Sequence, residues 1–79
     1  MFKDKKILIT GGTGSLVQAL TKRLLGENVK TIRIFSRNEE KQVYMENKFD
    51  DNRLRFLLGD ITDLERLKSA IEDIDIVFP

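Results

Sequence analysis

Residues 7–15, Ile-Leu-Ile-Thr-Gly-Gly-Thr-Gly-Ser, decide the fold of this chain. A short apolar strand ends in a turn with three glycines in four residues, and a helix with Leu16, Leu20 and Leu24 on one face follows at once. Glycine lets the backbone turn tightly and lie close to a pyrophosphate, while the unpaired N–H groups of the first helical turn point toward the anion. The stretch therefore predicts a phosphate-binding turn at the start of a β-α-β unit.

The composition of the chain excludes several kinds of chemistry. The 79 residues contain neither Cys nor His, which removes disulfides, thiolate chemistry, the commonest metal ligand and the usual general base. Fourteen basic and 13 acidic residues give a net charge of +1, so charge provides no argument for nucleic acid or a membrane surface as partner. The first apolar run is too short for a signal peptide or a membrane span. We therefore expect one cytoplasmic domain, residues 1–79, without a metal site.

Four apolar runs alternate with three amphipathic stretches along the chain. Strands are predicted at Lys6–Thr10, 31–35, Leu54–Leu58 and 75–78, and helices at 15–26, 38–49 and 63–71. With right-handed crossovers this order gives an α/β fold, half of a Rossmann fold, whose parallel sheet has the strand order 3-2-1-4. The runs mostly lack alternation, which predicts strands buried on both faces.

Local signals predict the ends of the helices and their core-facing sides. Residues 36–39 and 62–65 fit the S/T-x-x-E capping box, which makes Ser36 and Thr62 the predicted N-caps. Gly26 is predicted to end the first helix with a positive φ. The side chains predicted to face the core are, helix by helix, Leu16, Leu20 and Leu24; Val43 and Phe49; and Leu64, Leu67 and Ile71.

Taken together, these segments resemble a known family of enzymes. Residues 5–15 (KKILITGGTGS), 32–37 (IRIFSR), 54–60 (LRFLLGD) and 63–67 (DLERL) are similar to the N-terminal part of extended short-chain dehydrogenases/reductases. Within that superfamily they look most like the inverting UDP-N-acetylglucosamine 4,6-dehydratases. The resemblance implies a tightly bound NADP, which in those enzymes oxidises C4 of the sugar nucleotide and returns the hydride at C6 after water is eliminated across C5 and C6.

The resemblance also implies which residues hold the cofactor. They are Thr10, Gly11, Thr13, Gly14 and Ser15 for the pyrophosphate, Ser36 and Arg37 for the adenosine ribose, and Asp60 and Ile61 for the adenine. Charge argues separately for NADP over NAD, because Ser36 and Arg37 stand where an NAD site places an acidic residue, and Lys41 follows one turn later. A guanidinium can bind a 2′-phosphate through two hydrogen bonds.

Two features argue against catalysis by this chain. Val17 stands where the family pattern TGxxGxxG has its third glycine, so its side chain should crowd the contact between helix and sheet or fill the space there. The resemblance places the catalytic Tyr-x-x-x-Lys pair beyond Pro79. Tyr44 and Lys48 have that spacing, but they fall on the helix between the second and third strands, on the adenine side. We therefore expect no catalytic residue, no turnover and weak or absent NADP binding.

Two interpretations stay open. In the first, the chain is the NADP-binding part of a sugar-nucleotide dehydratase and still binds the adenosine-phosphate end of the cofactor. In the second, it is an engineered or truncated Rossmann fragment without a ligand, a scaffold for folding or assembly. Either way, the strand from Asp75 to Phe78 would be an open sheet edge, which predicts pairing into a homodimer.

Overall fold

A computed structural model describes residues 1–11 and 14–79 as four strands and three helices that alternate along the chain. The strands are β1 (Lys6–Thr10), β2 (Thr31–Ser36), β3 (Leu54–Leu58) and β4 (Ile76–Phe78), and the helices are α1 (Ser15–Leu25), α2 (Glu39–Phe49) and α3 (Leu64–Ile71). All strand pairs are parallel, in the order β3-β2-β1-β4. The predicted half-Rossmann topology is confirmed, and every element boundary lies within one residue of its predicted position.

The register of the sheet brings three loops to the same edge. Thr10 at the end of β1 pairs with Phe35, and Ser36 at the end of β2 pairs with Leu58 at the end of β3. The chain segments that follow β1, β2 and β3 therefore leave the sheet side by side. At the other side of β1, β4 is an outer strand that pairs with β1 alone; the homodimer through residues 75–78 stays a prediction.

The two faces of the sheet bury separate clusters because side chains alternate along each strand. The larger cluster, which includes side chains of α1 and α2, consists of Ile7, Ile9, Leu24, Val29, Ile32, Ile34, Met45 and Leu54. The smaller cluster, beneath α3, consists of Leu8, Phe35 and Ala70. Burial on both faces is thus correct for the inner strands β1 and β2. It is wrong for β3 and β4, most of whose side chains remain partly exposed because these strands form the edges.

Several helical side chains that were predicted to face the core are exposed instead. They are Leu16, with 82% of its surface exposed, Val43, with 50%, and Leu64 and Ile71 on α3. Leu24 is buried as predicted, and the helices also bury Met45 and Ala70, which were not predicted to face the core. On α3, Leu67 and Ala70 point to the sheet, three residues apart on one helical face, and the two longer apolar side chains flank them.

Val17 packs against the larger cluster as a partly buried side chain. It therefore fills the space that the family pattern reserves for a glycine, which was one of the two predicted outcomes. The hydroxyl of Thr21, one turn further on, donates a hydrogen bond to the Val17 carbonyl oxygen at 2.8 Å. The valine is thus part of the contact between α1 and the sheet.

The capping-box predictions are wrong, because the N-caps of α2 and α3 are Asn38 and Asp63. Their side-chain oxygens accept hydrogen bonds from the backbone N–H groups of Lys41 at 3.0 Å and Arg66 at 3.3 Å. Asn and Asp cap as well as Ser, so the S/T-x-x-E pattern placed each cap one or two residues too early. Ser36 belongs to β2, and Thr62 bonds to a neighbouring carboxylate.

The end of α1 also differs from its prediction. Gly26 has φ −75°, in the right-handed region, and its N–H donates to the Arg23 carbonyl oxygen at 3.1 Å. The left-handed conformation in this turn occurs at Asn28, where φ is 58°. Asparagine tolerates the left-handed conformation better than most residues. The turn therefore forms without a positive φ at Gly26.

Asn38→Ala tests the observed cap of α2. We expect it to lower the free energy of unfolding by about 1 kcal/mol, because an N–H of the first turn loses its acceptor. Urea unfolding followed by circular dichroism measures the change. Asn47→Ala is the matched control, since Asn47 is an exposed asparagine within the same helix. Equal losses for the two variants would contradict the assignment of the cap.

Candidate functional site

An open cleft of about 580 Å³ lies at the carboxyl edge of the sheet, between the segments that follow β1, β2 and β3. Its lining consists of Gly11, Gly14, Phe35, Ser36, Arg37, Asn38, Lys41, Gly59, Asp60, Ile61 and Thr62. Ligands of open α/β sheets bind outside the carboxyl ends of the strands, which is where this cleft lies.

Most of the residues predicted to bind a cofactor line this cleft. Six of the nine do so: Gly11, Gly14, Ser36, Arg37, Asp60 and Ile61. Thr10 is the half-buried last residue of β1 and Ser15 the exposed first residue of α1, and neither is part of the lining. The prediction for Thr13 lies outside the described residues. The structure thus brings the predicted ribose, adenine and glycine positions together in one place.

Gly11 and Gly14, the latter at the start of α1, line one side of the cleft. Gly11 has φ +92°, a backbone conformation that side-chain-bearing residues rarely adopt. Gly14 is the N-cap of α1 and so offers no side chain to the N–H groups of the first turn, which also contains no acidic residue. These N–H groups and the positive end of the helix dipole favour an anion at this side of the cleft.

Arg37 and Asp60 face each other across the opposite side. The guanidinium Nη1 lies 3.4 Å from Asp60 Oδ2, and the Arg37 side chain is 78% exposed. The other carboxylate oxygen accepts hydrogen bonds from the Thr62 N–H at 2.9 Å and hydroxyl at 3.0 Å. These two bonds, with a smaller contribution from Arg37, hold the pKa of Asp60 below its ordinary value, so the carboxylate is charged at neutral pH. An exposed ion pair of this kind contributes little to stability, so Arg37 can turn to another anion at small cost.

Gly59 was missed by the sequence reasoning, although its place directly after β3 was visible. A Cβ atom at this position would lie 2.6 Å from Cε2 and 2.8 Å from Cζ of the Phe35 ring. The Gly59 N–H also donates to the Ser36 carbonyl oxygen at 2.9 Å. The glycine therefore lets the chain after β3 pass closely over the end of β2, beside the cleft that Gly59 lines.

Gln42 was also missed, because a glutamine in a helix gives no signal of burial. It is only 6% exposed and extends from α2 to the ends of β2 and β3. Its amide donates hydrogen bonds to Ser36 Oγ at 2.8 Å and to the Leu57 carbonyl oxygen at 3.1 Å. The hydrogen bond from Gln42 therefore connects the Ser36 side chain, which lines the cleft, to α2.

Tyr44 and Lys48 lie on the exposed side of α2, and neither is part of the cleft lining. Lys48 Nζ is 5.9 Å from the centre of the Tyr44 ring and donates to Gln18 Oε1 at 2.8 Å. Their Tyr-x-x-x-Lys spacing thus falls on the predicted helix, the one between β2 and β3, and outside the cleft lining.

A wider depression of about 700 Å³ lies around the start of β3, at the opposite end of the sheet. Two of its charged groups neutralise each other, because Asp51 binds the Arg53 guanidinium at 2.8 and 3.0 Å. These bonds lower the pKa of Asp51 and raise that of Arg53. Because this depression lies away from the carboxyl ends of the strands, where ligands of open α/β sheets bind, it is a weaker candidate for a ligand than the cleft.

Among residues 1–11 and 14–79, no group of three or more acidic side chains is arranged to hold a metal ion. No helix described there is long and apolar enough to cross a membrane. The cytoplasmic location stays a prediction.

Comparison with known proteins identifies the family. The model of a family described as polysaccharide biosynthesis protein matches residues 7–79. The chain belongs to this family, and the predicted resemblance to the N-terminal part of an extended short-chain dehydrogenase/reductase is confirmed.

Curated relatives include sugar-nucleotide enzymes. The chain is 51% identical over 79 residues to the inverting UDP-N-acetylglucosamine 4,6-dehydratase of Campylobacter jejuni, covering 98% of this chain and 23% of that enzyme. It is 42% identical over 82 residues to the UDP-glucose 4-epimerase of Rickettsia prowazekii, covering 99% and 24%. An uncharacterized membrane protein of Methanocaldococcus jannaschii is 46% identical over 77 residues, covering 98% and 23%. The chain thus spans about a quarter of the length of these relatives.

Solved structures share the fold. Pen from Bacillus thuringiensis superposes with a TM-score of 0.92 at 43% identity, covering 98% of this chain and 25% of that protein. A short-chain dehydrogenase/reductase of Veillonella parvula in complex with NADP has a TM-score of 0.76 at 25% identity, covering 94% and 34%. WbmF of Bordetella bronchiseptica, in complex with NAD⁺ and UDP, has a TM-score of 0.78 at 26% identity, covering 98% and 23%. Structural neighbours thus bind NADP in one case and NAD⁺ in another.

Proposed function

We propose that this chain is the cofactor-binding part of a sugar-nucleotide dehydratase and binds the adenosine-phosphate end of NADP. The observation that carries the proposal is the cleft, where Ser36 and Arg37 face the glycine turn across the carboxyl edge of the sheet. A binding role is favoured over a ligand-free scaffold because the lining combines an uncapped helix start with an exposed guanidinium.

The pyrophosphate would lie against the glycine turn. Gly11 and Gly14 carry no side chain into the cleft, and the N–H groups at the start of α1 have no side-chain cap. Thr10, Thr13 and Ser15 belong to this part of the proposal on the strength of the family resemblance. The chemistry expected here is hydrogen bonding from backbone N–H groups to phosphate oxygens.

The adenosine would lie between the ends of β2 and β3. Ser36 and Arg37 would contact the 2′-phosphate, with Lys41 adding positive charge at the same side of the cleft. Ile61, which is exposed in the structure, would cover one face of the adenine beside Asp60. No acidic residue stands at the end of β2 to accept a hydrogen bond from an unmodified 2′-hydroxyl.

The reaction belongs to a longer protein of this family. When bound, NADP would supply hydride acceptance at C4 of a UDP-sugar, and we favour the dehydratase over the epimerase because its identity to this chain is higher. The cleft residues named above would bind and orient the cofactor, and none of the described lining residues is a tyrosine that could move a proton. We therefore expect no conversion of UDP-N-acetylglucosamine by the 79 residues alone.

Titration of NADP and NAD into the ¹⁵N-labelled chain tests the binding role. We expect the affinity for NADP to be about tenfold higher than for NAD, the effect of one charge-assisted hydrogen bond. Amide shifts should concentrate at Gly11, Gly14, Ser36 and Arg37. Equal affinities would refute the 2′-phosphate contact, and the absence of shifts with either dinucleotide at millimolar concentration would support the ligand-free scaffold.

A further inference from the structure

Gln42 makes a buried contact whose direction can be deduced. Its Nε2 lies 3.1 Å from the Leu57 carbonyl oxygen and 3.4 Å from the Ser36 carbonyl oxygen. Carbonyl oxygens only accept hydrogen bonds, so the amide group that faces them must be the NH₂ and not the oxygen. The orientation of the Gln42 side chain is therefore fixed by the backbone at the ends of β2 and β3.

This orientation also fixes the role of the Ser36 hydroxyl. The same Nε2 lies 2.8 Å from Ser36 Oγ, so Ser36 Oγ accepts a hydrogen bond from Gln42. A hydroxyl that accepts from one side has its own hydrogen directed elsewhere. Among the described residues the structure gives that hydrogen no acceptor, and Ser36 lines the cleft. The hydroxyl of Ser36, although only 6% of the residue is exposed, thus has a hydrogen left for an acceptor in the cleft.

A fixed donor discriminates between the two forms of the ribose. A 2′-phosphate carries only acceptor oxygens and negative charge, and hydrogen bonds to charged groups are about twice as strong as neutral ones. A free 2′-hydroxyl can accept the same hydrogen bond, but as a neutral group. The donor at Ser36 therefore adds to the preference that Arg37 creates beside it.

We propose that Gln42 is a specificity-determining positioning residue, which holds the Ser36 hydroxyl as a donor and so raises the preference of the cleft for 2′-phosphorylated adenosine. The inference rests on the proposed function, since it assumes that the ribose lies at Ser36 and Arg37. It goes beyond that function by assigning part of the specificity to a buried side chain of α2 that does not touch the ligand.

The test compares 2′,5′-ADP with 5′-AMP, which differ only in the 2′-phosphate. Gln42→Met keeps the length of the side chain but removes the donor, so the Ser36 hydroxyl can turn. We expect the ratio of the two affinities to fall about five- to tenfold, as one charge-assisted hydrogen bond weakens. In a Ser36→Ala background the same exchange should leave the ratio unchanged, because Gln42 acts through Ser36.

Gln18→Met is the matched control, since Gln18 is the other glutamine of the chain and is not part of the cleft lining. It should leave the ratio unchanged. If Gln42 had only a structural role, Gln42→Met would weaken the binding of both nucleotides equally and leave the ratio of their affinities unchanged. That result would overturn the inference but not the proposed function. If the unmodified chain binds both nucleotides equally, the proposed function and the inference both fail.

A measurement on the unmodified chain covers the case in which Gln42→Met does not fold. The side-chain NH₂ resonances of Gln42 should shift with 2′,5′-ADP and much less with 5′-AMP, because a charged acceptor polarises the chain of hydrogen bonds through Ser36. Identical shifts with the two nucleotides would overturn the inference.

Discussion

Replacing Met45 with alanine is expected to lower the free energy of unfolding by about 2–5 kcal/mol, the range for removing a buried methionine side chain from a core. Met45 is fully buried in the larger cluster, on the side of α2 that packs against the sheet. A chain of 79 residues has a total stability of about 4–12 kcal/mol at ordinary values per residue. The exchange therefore removes a large share of the stability.

Val43→Ala is the control for this prediction. Val43 lies two residues earlier in the same helix and is 50% exposed. Its replacement should change the stability by less than about 0.5 kcal/mol, because little packing is lost and alanine has the higher helix propensity. Urea unfolding of both variants under the same conditions gives the comparison. Equal losses would contradict the observed packing of α2, and a larger loss for Val43→Ala would show that α2 packs with the face that contains Val43.

The fold could be predicted because its main signals agree with one another. The apolar runs, the glycine turn and the alternation of strands and helices all indicate one parallel topology, and the observed strand order matches it. The orientation of α2 could not be predicted, because Val43, Tyr44, Met45 and Phe49 spread apolar side chains around the helix. The buried face of α2 is determined by contacts between the helix and the sheet, where the Gln42 side chain donates hydrogen bonds to groups at the strand ends.

The candidate site was predictable to the extent that it depends on strand ends. Ser36, Arg37 and Asp60 follow β2 and β3 closely, so the parallel topology alone brings them to one edge. Gln42 and Gly59 depend on contacts between elements. A glutamine in a helix is expected to be exposed to solvent, and its burial is explained only by the Leu57 carbonyl oxygen that accepts its hydrogen bond. The need for Gly59 is likewise visible only from the position of the Phe35 ring. Distances of this kind are not encoded in local patterns.

Arg37→Glu is expected to weaken NADP binding about 10- to 100-fold while changing NAD binding less than about threefold, the effect of losing one ionic hydrogen bond. The variant removes the guanidinium that the proposed site offers to the 2′-phosphate. It also brings a second carboxylate next to Asp60, whose charge is held at neutral pH by its bonds to Thr62. The first change removes an attraction for a phosphate dianion and the second adds a repulsion, whereas NAD has no phosphate at that position. Fluorescence or NMR titrations at low and high salt measure the two affinities.

Arg23→Glu separates this local effect from the change in net charge. Arg23 is an exposed arginine on α1, outside the cleft lining, and its exchange alters the charge of the chain by the same two units. Long-range attraction of an anionic dinucleotide would therefore weaken to a similar degree in both variants. In high salt this effect should disappear in both, because the screening length falls to about 3 Å at 1 M ionic strength. Only a direct contact at Arg37 makes the loss specific for NADP and retains it in salt. If both variants weaken NADP and NAD alike, the positive charge near the cleft acts as a general attraction, and the structure then gives no basis for a preference between the two cofactors.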